Sequence, residues 1–491
     1  MRRFFVWMAA GVLAGSAVPT ALDAQGYGIY EHGTCVMARA GTGTASPCAD
    51  GSAIFFNPAG ILGSGRGTVS AGVTYIGPKG SFTNDTSGVA TVLEDLKFYI
   101  PHLYYARDLG NGFAAGLGVF APYGLTTEWP TTFEGRFLGY RSEVAGVYIQ
   151  PTFAAQITPT IKLGVGFDIS MVKVNLRQRA DLWSTTLAPG VTGGNLGFAE
   201  GTDFADINLE GHASGVGFNI GAIWQAHPRV ALGVRYLSQQ EIYVNKADAT
   251  IEQINTGIIL DAGNPLGVPG GTPLDAVLAG RFLPDSLLDD QTGSTHLTFP
   301  DQLVFGVTVK ATDKLNILTD IQFVRWSHFD ELALQFERLP QKVLREDYEN
   351  TVGFRLGAEY AVTPKYTARA GFLSHGAAAP DQIAPRRLSL NWRHRRRHTI
   401  PVHLCVIVDR CGPCDRRDRR RLGGDERLRC RQRQRIGRDR HELVLGAGRL
   451  RRRNLGEIVV VAHSFKYSRR RLVWARLTGI SLPFASFILR M

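Results

Sequence analysis

Long apolar runs are scarce in this sequence. Beyond its first 25 residues the chain has no run of eighteen apolar residues, and its mean hydropathy is -0.05. A helix that spans a bilayer needs about 20 such residues, so a polytopic helical membrane protein is excluded. The chain is nevertheless 44% hydrophobic and only 20% charged. It can therefore bury a sizeable core, and wholesale disorder is excluded as well.

Catalytic and metal-binding motifs are also missing. The sequence contains no G-x-S-x-G, no evident His/Ser/Asp set and no convincing pair of carboxylates. Gly215-x-Gly217 lies inside an alternating segment and not before a helix, so it does not predict a phosphate site. A single CxxC, Cys411 and Cys414, has no second spaced pair with which to hold zinc. We therefore expect no enzyme activity, no cofactor and no metal.

The charge is divided at residue 386. The whole chain carries a formal net charge of +12, but residues 386–491 hold 29 of the 55 basic and 8 of the 43 acidic residues. Residues 1–385 are therefore net acidic. A uniformly basic, nucleic-acid-binding protein is excluded by this division.

The N-terminus has the pattern of an export signal. Two arginines precede an apolar stretch from Phe4 to Ala17, and small residues follow up to Ala24. The stretch is too short to span a bilayer permanently, so residues 1–24 are predicted to be a secretory signal peptide. An exported chain enters an oxidising compartment, and Cys35 and Cys48 are the disulfide candidates there. The alternative to the signal peptide is a buried N-terminal helix, and the alternative to the disulfide is two unpaired cysteines.

The middle of the chain alternates between apolar and other residues with a period of two. Val352, Phe354 and Leu356, for example, alternate with Gly353 and Arg355. The alternating segments run about nine to twelve residues, which is the length that a tilted strand needs to cross a bilayer. They predict eleven strands: 67–78, 96–108, 112–121, 142–157, 161–179, 207–226, 229–249, 298–311, 315–326, 348–361 and 365–375.

The connections between these segments alternate in length. Short turns such as Thr158-Pro159-Thr160 are separated by long segments, at 79–95, 121–142, 180–206, 250–297, 327–347 and from 376 onward. An outer-membrane barrel sorts its connections in this way, with short periplasmic turns and long extracellular loops. The pattern therefore predicts an all-β, transmembrane antiparallel β-barrel over residues 67–385. A soluble β-sandwich is the alternative.

An odd number of strands does not close such a barrel, and the composition changes where strands are missing. Of the 29 basic residues after residue 385, 28 are Arg and one is Lys466. Shifted translation of GC-rich DNA produces such an excess of arginine. We interpret residues 386–491 as a non-native tail that follows a frameshift near Pro385. An intact frame on resequencing would contradict this, and an RNA-binding arginine-rich tail is the alternative.

Residues 26–61 carry a specific resemblance. They include Tyr30-Glu31-His32-Gly33 and the run Asn57-Pro58-Ala59-Gly60, and later stretches such as Phe299-Pro300-Asp301 follow in the expected order. This segment resembles the N-terminal hatch of the FadL family of long-chain fatty acid and aromatic-hydrocarbon transporters of the outer membrane. The resemblance implies a fourteen-stranded barrel of which about eleven strands are in frame here. It also implies that residues 25–66 form a hatch that plugs the lumen.

The resemblance implies that a hydrophobic ligand is captured outside, moves to an internal pocket and leaves sideways through the wall. We expect Asn57, Pro58, Ala59 and Gly60 to fix the path of the hatch, since Asn-Pro disfavours the helical region at residue 57. Inward-facing charged residues are candidates for ligand or lumen contacts: Asp168, Arg355, Glu359 and Arg369. Pairing with one another or with the hatch is the alternative role for these four.

The sequence thus predicts an exported monomer in the Gram-negative outer membrane, in contact with its lipid. It would passively take up hydrophobic molecules, long-chain fatty acids by default and aromatic hydrocarbons otherwise. No nucleic acid is expected as a partner. An outer-membrane lipid hydrolase and a purely structural barrel are the alternatives from other functional classes. The apolar loop segments 182–198 and 258–288 are predicted to make the first contact with the ligand.

Overall fold

The computed structural model describes residues 26–65, 67–84, 87–364, 366–379 and 407–410. No helix among these residues is both long and apolar enough to cross a membrane. The predicted signal peptide, residues 1–24, lies outside the described residues. So does the predicted tail from residue 386, with its CxxC, except for residues 407–410.

The described residues form twenty strands and a few short helices. The strands are β1 (Thr68–Ile76), β2 (Ser81–Thr83), β3 (Ala90–Val92), β4 (Phe98–Gly110), β5 (Phe113–Glu128), β6 (Arg141–Gln156), β7 (Ile161–Asp181), β8 (Thr186–Ala188), β9 (Val191–Thr192), β10 (Asp203–His227), β11 (Val230–Leu237), β12 (Gln240–Gln253), β13 (Gln291–Phe299), β14 (Gln302–Lys310), β15 (Leu315–Val324), β16 (Glu331–Phe336), β17 (Lys342–Arg345), β18 (Thr351–Thr363), β19 (Tyr366–His375) and β20 (Ile407–Arg410). The α-helices are α1 (Thr34–Met37), α2 (Ala53–Phe56) and α3 (Leu274–Ala279), and 3₁₀ turns span Pro58–Ile61, Glu134–Phe137, Gly194–Leu196 and Trp326–His328.

Sixteen of these strands belong to one antiparallel sheet. Its main path runs β1-β4-β5-β6-β7-β10-β11-β14-β15-β18-β19-β20, and a branch β12-β13-β16-β17 extends from β10. Within the described residues the two ends of the path, β1 and β20, are not paired with each other. Each of the eleven predicted strands overlaps a strand of this path. β20 lies in the predicted tail and pairs with β19 through four residues.

Two predicted strands are interrupted, which corrects the sequence prediction. Segment 229–249 divides into β11 and β12 because Ser238 turns its hydroxyl to the backbone of Phe218, whose N–H donates to Oγ at 2.9 Å. Segment 298–311 divides at Pro300, which has no N–H for a ladder, and at Asp301, whose carboxylate accepts from Arg325. After these two breaks, β12 and β13 pair with each other and form the start of the branch that extends from β10.

The long connections are more ordered than the sequence predicts. β5 continues to Glu128 and so occupies the start of the predicted loop 121–142. Loops 79–95 and 180–206 contain the hairpins β2-β3 and β8-β9, and loop 250–297 contains α3. Strands this short give little periodic signal, since three residues complete only one alternation.

The two faces of the sheet differ as the period of two predicts. On β18 the side chains of Val352, Phe354 and Leu356 are 54%, 40% and 40% exposed, whereas Arg355 is 3% exposed. The outward residues form an apolar surface, and the inward ones meet the N-terminal segment. That segment is the core around which the sheet is wrapped.

Candidate functional site

The N-terminal segment, residues 26–65, is enclosed by the sheet. It makes contacts with every strand of the main path from β1 to β19, for example Thr74 Oγ1 of β1 donating to Glu31 O at 2.8 Å and Arg355 Nη1 of β18 donating to Gly41 O at 3.3 Å. A sheet whose main-path strands from β1 to β19 all touch the same small segment must curve around it. We refer to residues 26–65 as the hatch.

A disulfide bond and a buried arginine hold the first half of the hatch together. Cys35, in α1, and Cys48 form a disulfide with their Cα atoms 6.3 Å apart. Arg39 Nη2 donates to Ser46 O at 3.1 Å and contacts Cys48 Sγ at 2.9 Å. Asp50 lies beside the two sulfur atoms. Because both sulfurs are covalently joined, this group does not offer thiolate ligands to a metal.

Asn57 connects the hatch to two wall strands. Its backbone is extended (φ -169°, ψ 107°), and its Oδ1 accepts from Ala59 N at 3.1 Å, which starts the 3₁₀ turn Pro58–Ile61. Its Nδ2 faces three carbonyl oxygens, those of Thr44 (2.7 Å), Ala222 (3.1 Å) and Val234 (3.3 Å). A single buried side chain thus joins two parts of the hatch to β10 and β11.

Glycines in the wall make room for the backbone of the hatch. A β-carbon at Gly164 would overlap Pro58 and Ala59, and one at Gly221 would overlap the side chain of Asn57. Gly233, Gly306, Gly357 and Gly371 have the same relation to residues 39–45. The richness in glycine, 56 of 491 residues, therefore reflects in part a close approach of two backbones.

Polar residues that the sequence analysis did not single out fasten the hatch. Asp320 Oδ2 accepts from Gly43 N (2.9 Å), Thr44 N (3.1 Å) and Thr44 Oγ1 (2.9 Å). Gln150 and Asn219 both donate to Ile54 O, at 2.8 and 3.1 Å. All three wall residues lie at inward positions of alternating strands. The alternation in the sequence identifies the inward-facing positions of each strand, and the polar residues at those positions include all three.

Three of the four predicted lumen residues contact the hatch or one another. Arg355 is buried, donates to Gly41 O and His375 Nε2, and also bonds to Gln322. Glu359 receives Arg39 of the hatch at 3.3 Å and Arg369 at 2.7 Å. Arg355 and Glu359 therefore contact the hatch directly, and Arg369 is linked to it through Glu359.

Asp168 is placed differently from these three. Its side chain is 1% exposed, and neither carboxylate oxygen has a hydrogen-bond partner. Its cross-strand partner is Gly217 of β10. A buried carboxylate without a partner is costly, so Asp168 marks a part of the interior that the hatch does not complete.

His32 lies in the apolar part of the hatch, and its burial makes the stability of the docked hatch depend on pH. Its ring is 4.8 Å from that of Phe55 and 5.6 Å from that of Phe120, and burial lowers its pKa to about 3. An unfolded histidine titrates near 6.5. Between these values the released hatch binds a proton that the docked hatch does not, so stability falls as the pH falls from about 6.5 to about 3.

We expect the midpoint temperature for loss of the compact, SDS-resistant form to be lower at pH 4.5 than at pH 7.5. The slope can reach about 1.4 kcal/mol per pH unit, and His32→Leu is expected to reduce it. The control His212→Gln changes an exposed histidine of β10 and should keep the wild-type slope. An equal pH dependence in His32→Leu would contradict the prediction.

A second apolar cluster lies beyond the hatch, on the long loops. Residues 182–207 and 251–288 share a core, whose buried members are Leu182, Phe204, Ala205, Ile207, Ile251, Leu260, Leu274, Leu278 and Leu288. Arg281 joins the two loops, because its Nη1 donates to Thr186 O at 3.0 Å and its Nη2 to Leu187 O at 2.6 Å. The predicted capture segments 182–198 and 258–288 thus form one packed unit, the loop cluster.

Residues 15–386 match the family described as outer membrane protein transport protein (OMPP1/FadL/TodX). The chain is 22% identical to outer membrane protein P1 of Haemophilus influenzae over 77% of this chain and 80% of that protein. It is 21% identical to a long-chain fatty acid transport protein of Escherichia coli, over 75% and 81% of the two chains.

Solved structures share the fold. A FadL homologue of Pseudomonas aeruginosa matches with a TM-score of 0.58 at 19% identity, over 73% of this chain and 83% of that one. The toluene transporter TbuX of Ralstonia pickettii matches with a TM-score of 0.51 at 19% identity, over 72% and 87%. The predicted antiparallel β-barrel and the predicted resemblance are both confirmed.

The barrel with its enclosed hatch and the matches to known proteins indicate the same cellular location and the same general role for this protein. The protein lies in the Gram-negative outer membrane and belongs among transporters of hydrophobic molecules, not among enzymes. The chain is a member of the outer membrane protein transport protein (OMPP1/FadL/TodX) family.

Proposed function

We propose that this protein takes up long-chain fatty acids passively, as a monomer whose apolar outer face contacts membrane lipid. In this proposal the loop cluster captures the ligand, the hatch closes the lumen, and the ligand leaves through the side of the wall. Relatives named long-chain fatty acid transport proteins support the substrate. Uptake of aromatic hydrocarbons is the alternative, supported by the toluene transporter among the similar folds.

The loop cluster offers an apolar surface for capture. Its core is buried, but Trp183, Ile259, Leu283 and Leu287 remain 43%, 57%, 58% and 46% exposed. Several exposed apolar side chains on one packed unit suit a binding surface. A long acyl chain could lie along them before it enters the barrel.

The charge of Arg281 is the observation that favours a fatty acid over a hydrocarbon. Its guanidinium donates to two carbonyl oxygens, and among the described residues it forms no ion pair with a carboxylate. Nearby Arg338, in contrast, is paired with Asp285 and Asp289. A cation that is bonded only to neutral groups, next to exposed Leu283, suits a ligand with an acyl chain and a terminal carboxylate.

The exit is proposed at β5. Pairing between β4 and β5 ends at Leu103 and Val119, and the β5-β6 register shifts between Phe120 and Tyr123. Beyond this point the hatch itself pairs with β5, through Ile29 N to Pro122 O (2.7 Å) and Gly124 N to Tyr27 O (2.9 Å). Displacement of residues 27–29 would open the wall there without breaking a ladder between two wall strands.

Arg281→Gln is expected to reduce uptake of oleate at low concentration about five- to tenfold and to leave uptake of toluene unchanged, because one charge-assisted contact is lost. Cells without another such transporter provide the assay. Arg281→Lys keeps the charge and should retain most of the oleate uptake. Arg338→Gln is the matched control, with a smaller expected effect.

Three outcomes would contradict parts of this proposal. Saturable uptake of toluene with no uptake of oleate would assign the protein to aromatic hydrocarbons. Hydrolysis of a lipid ester by the purified protein would favour an enzyme. An equal loss of oleate and toluene uptake in Arg281→Gln would mean that Arg281 acts only by holding the two loops together.

A further inference from the structure

The wall has a second interruption, between β10 and β12. On the side away from β7, β10 pairs with β12 only at Ala205–Gly211 and with β11 only at Asn219–His227. Phe218 is bonded to Ser238. Residues 212–217 therefore have no partner strand on this side. We refer to the space between 212–217 and 239–243 as the window.

Side chains close the window where backbone bonds are missing. A β-carbon at Gly217 would lie 2.7 Å from Ser238 Oγ and 2.8 Å from Gln240 Nε2, and one at Gly215 would overlap Ile242. The two glycines thus leave space into which Gln240 and Ile242 lean across the inner face of β10. A rotamer change at these two residues requires no rupture of a strand ladder.

The window opens toward lipid. A cavity of about 470 Å³ lies on its outer side, lined by Ile169, Val216 and Tyr243 together with Ser214, Gln239 and Glu241. Val216 is 77% exposed, and it continues the apolar outward series of β10 formed with Phe218 and Ile220. It lies eleven residues from the short turn after His227, near the outer edge of an apolar band about 25 Å tall.

The inner side of the window is polar and incompletely bonded. Gln240 is 1% exposed, and its Oε1 accepts from Ser170 Oγ at 2.6 Å, but its Nε2 has no partner. Asp168, opposite Gly217 in the register, leaves both carboxylate oxygens without a partner. One donor and two acceptors thus lie buried behind the cavity, which they do not line, and a rotamer change at Gln240 and Ile242 would connect them to it.

We propose that the window binds long-chain alcohols, or amphiphiles with the same terminal hydroxyl, from the outer leaflet. The hydroxyl accepts from Gln240 Nε2 and donates to Asp168, and the chain lies on Ile169, Val216 and Tyr243. An ionised fatty acid has no proton to donate to the oxygens of Asp168, and an alkane would leave both polar groups unpaired. This proposal depends on the membrane location of the barrel and not on the substrate proposed above.

Photolabelling of the full-length protein in phospholipid vesicles tests this site. The reagent is hexadecanol with a diazirine near the hydroxyl, and adducts are mapped by mass spectrometry. We expect adducts concentrated on 212–217 and 239–243, with strong competition by hexadecanol, weak competition by palmitate and none by hexadecane. Gln240→Leu should reduce labelling at least fivefold, whereas the control Gln335→Leu, at an exposed site on β16, should not.

Adducts spread evenly over the lipid-facing wall would overturn the proposal. Unchanged labelling in Gln240→Leu, or in Asp168→Leu, would do the same, provided that each variant migrates as a folded barrel. Failure here with normal oleate uptake would leave the proposed function intact. Labelling of the window without oleate uptake would refute that function and support the window.

Discussion

Asn57→Asp is expected to release the hatch, although it replaces only one NH2 group by oxygen. The wild-type Nδ2 lies within 3.3 Å of three carbonyl oxygens. A carboxylate there would face all three with no proton to share, and protonation would restore one donor at most. Loss of buried donors next to a buried charge costs about 3 kcal/mol or more. Few single-atom changes in this chain should have a larger effect.

Trypsin reports the release directly. Arg39 is 1% exposed in the docked hatch and is therefore protected. In Asn57→Asp we expect rapid cleavage after Arg39 and a lower midpoint temperature for the heat-dependent gel shift. Asn255→Asp is the matched control, because it makes the same change at an exposed loop residue. Persistent protection of Arg39 in a folded Asn57→Asp barrel would refute the role of Asn57 in fastening the hatch.

The strands were predictable because the barrel wall follows a local rule. Lipid on one side and the hatch on the other impose a period of two, which Val352 to Leu356 display within five residues. The breaks at Ser238 and Pro300 were missed because apolar alternation resumes with the same parity beyond both, at Ile242 and at Leu303. There the outcome depends on a hydroxyl bonded to another strand and on a missing N–H, which the period does not encode.

The fastening of the hatch was predictable only in part. The Asn-Pro step indicated a fixed turn at residue 57, but its partners, Ala222 and Val234, lie more than 160 residues away. In the sequence nothing distinguishes Asp320 from other inward-facing polar residues. Only the structure shows that it accepts from Gly43 and Thr44 of the hatch. Contacts between residues so far apart in the chain produce no recognisable spacing of residues in a single sequence. The predicted non-native tail remains a proposal, and the family match ends at residue 386, next to the proposed frameshift.

The hatch and the wall fit together by shape as well as by hydrogen bonds, and glycine controls the shape. Gly164 of β7 faces Pro58 and Ala59, and its strand neighbours are Ala154 and Gly221. The atoms that a side chain would strike are backbone atoms of Pro58 and Ala59, which belong to a bonded 3₁₀ turn. Such atoms cannot move aside as a flexible side chain can, so the hatch must leave its seat.

Gly164→Val is therefore expected to produce a barrel that inserts but no longer closes. We predict a large rise in permeability to small hydrophilic solutes, at least tenfold in a vesicle-swelling assay, together with cleavage after Arg39. Gly221→Val should act in the same way, because its β-carbon would overlap Asn57. Ala222→Val places the same side chain on the next residue, on the lipid-facing side, and is expected to leave permeability unchanged.

The comparison among these variants separates a lost plug from a lost fold. A misfolded barrel would disappear from the outer-membrane fraction and would lose the heat-dependent gel shift, whereas an unplugged one keeps both. If the Gly164→Val barrel were folded, impermeable to solutes and protected from cleavage after Arg39, the wall strand and not the hatch would have moved to accommodate the valine. Glycine would then be a requirement of the strand itself and not of the backbone that it faces. The predicted result follows if the seat of the hatch is rigid. The bonds of Asn57 to β10 and β11, and those of Asn219 in β10 and Asp320 in β15 to the hatch, hold it from three strands.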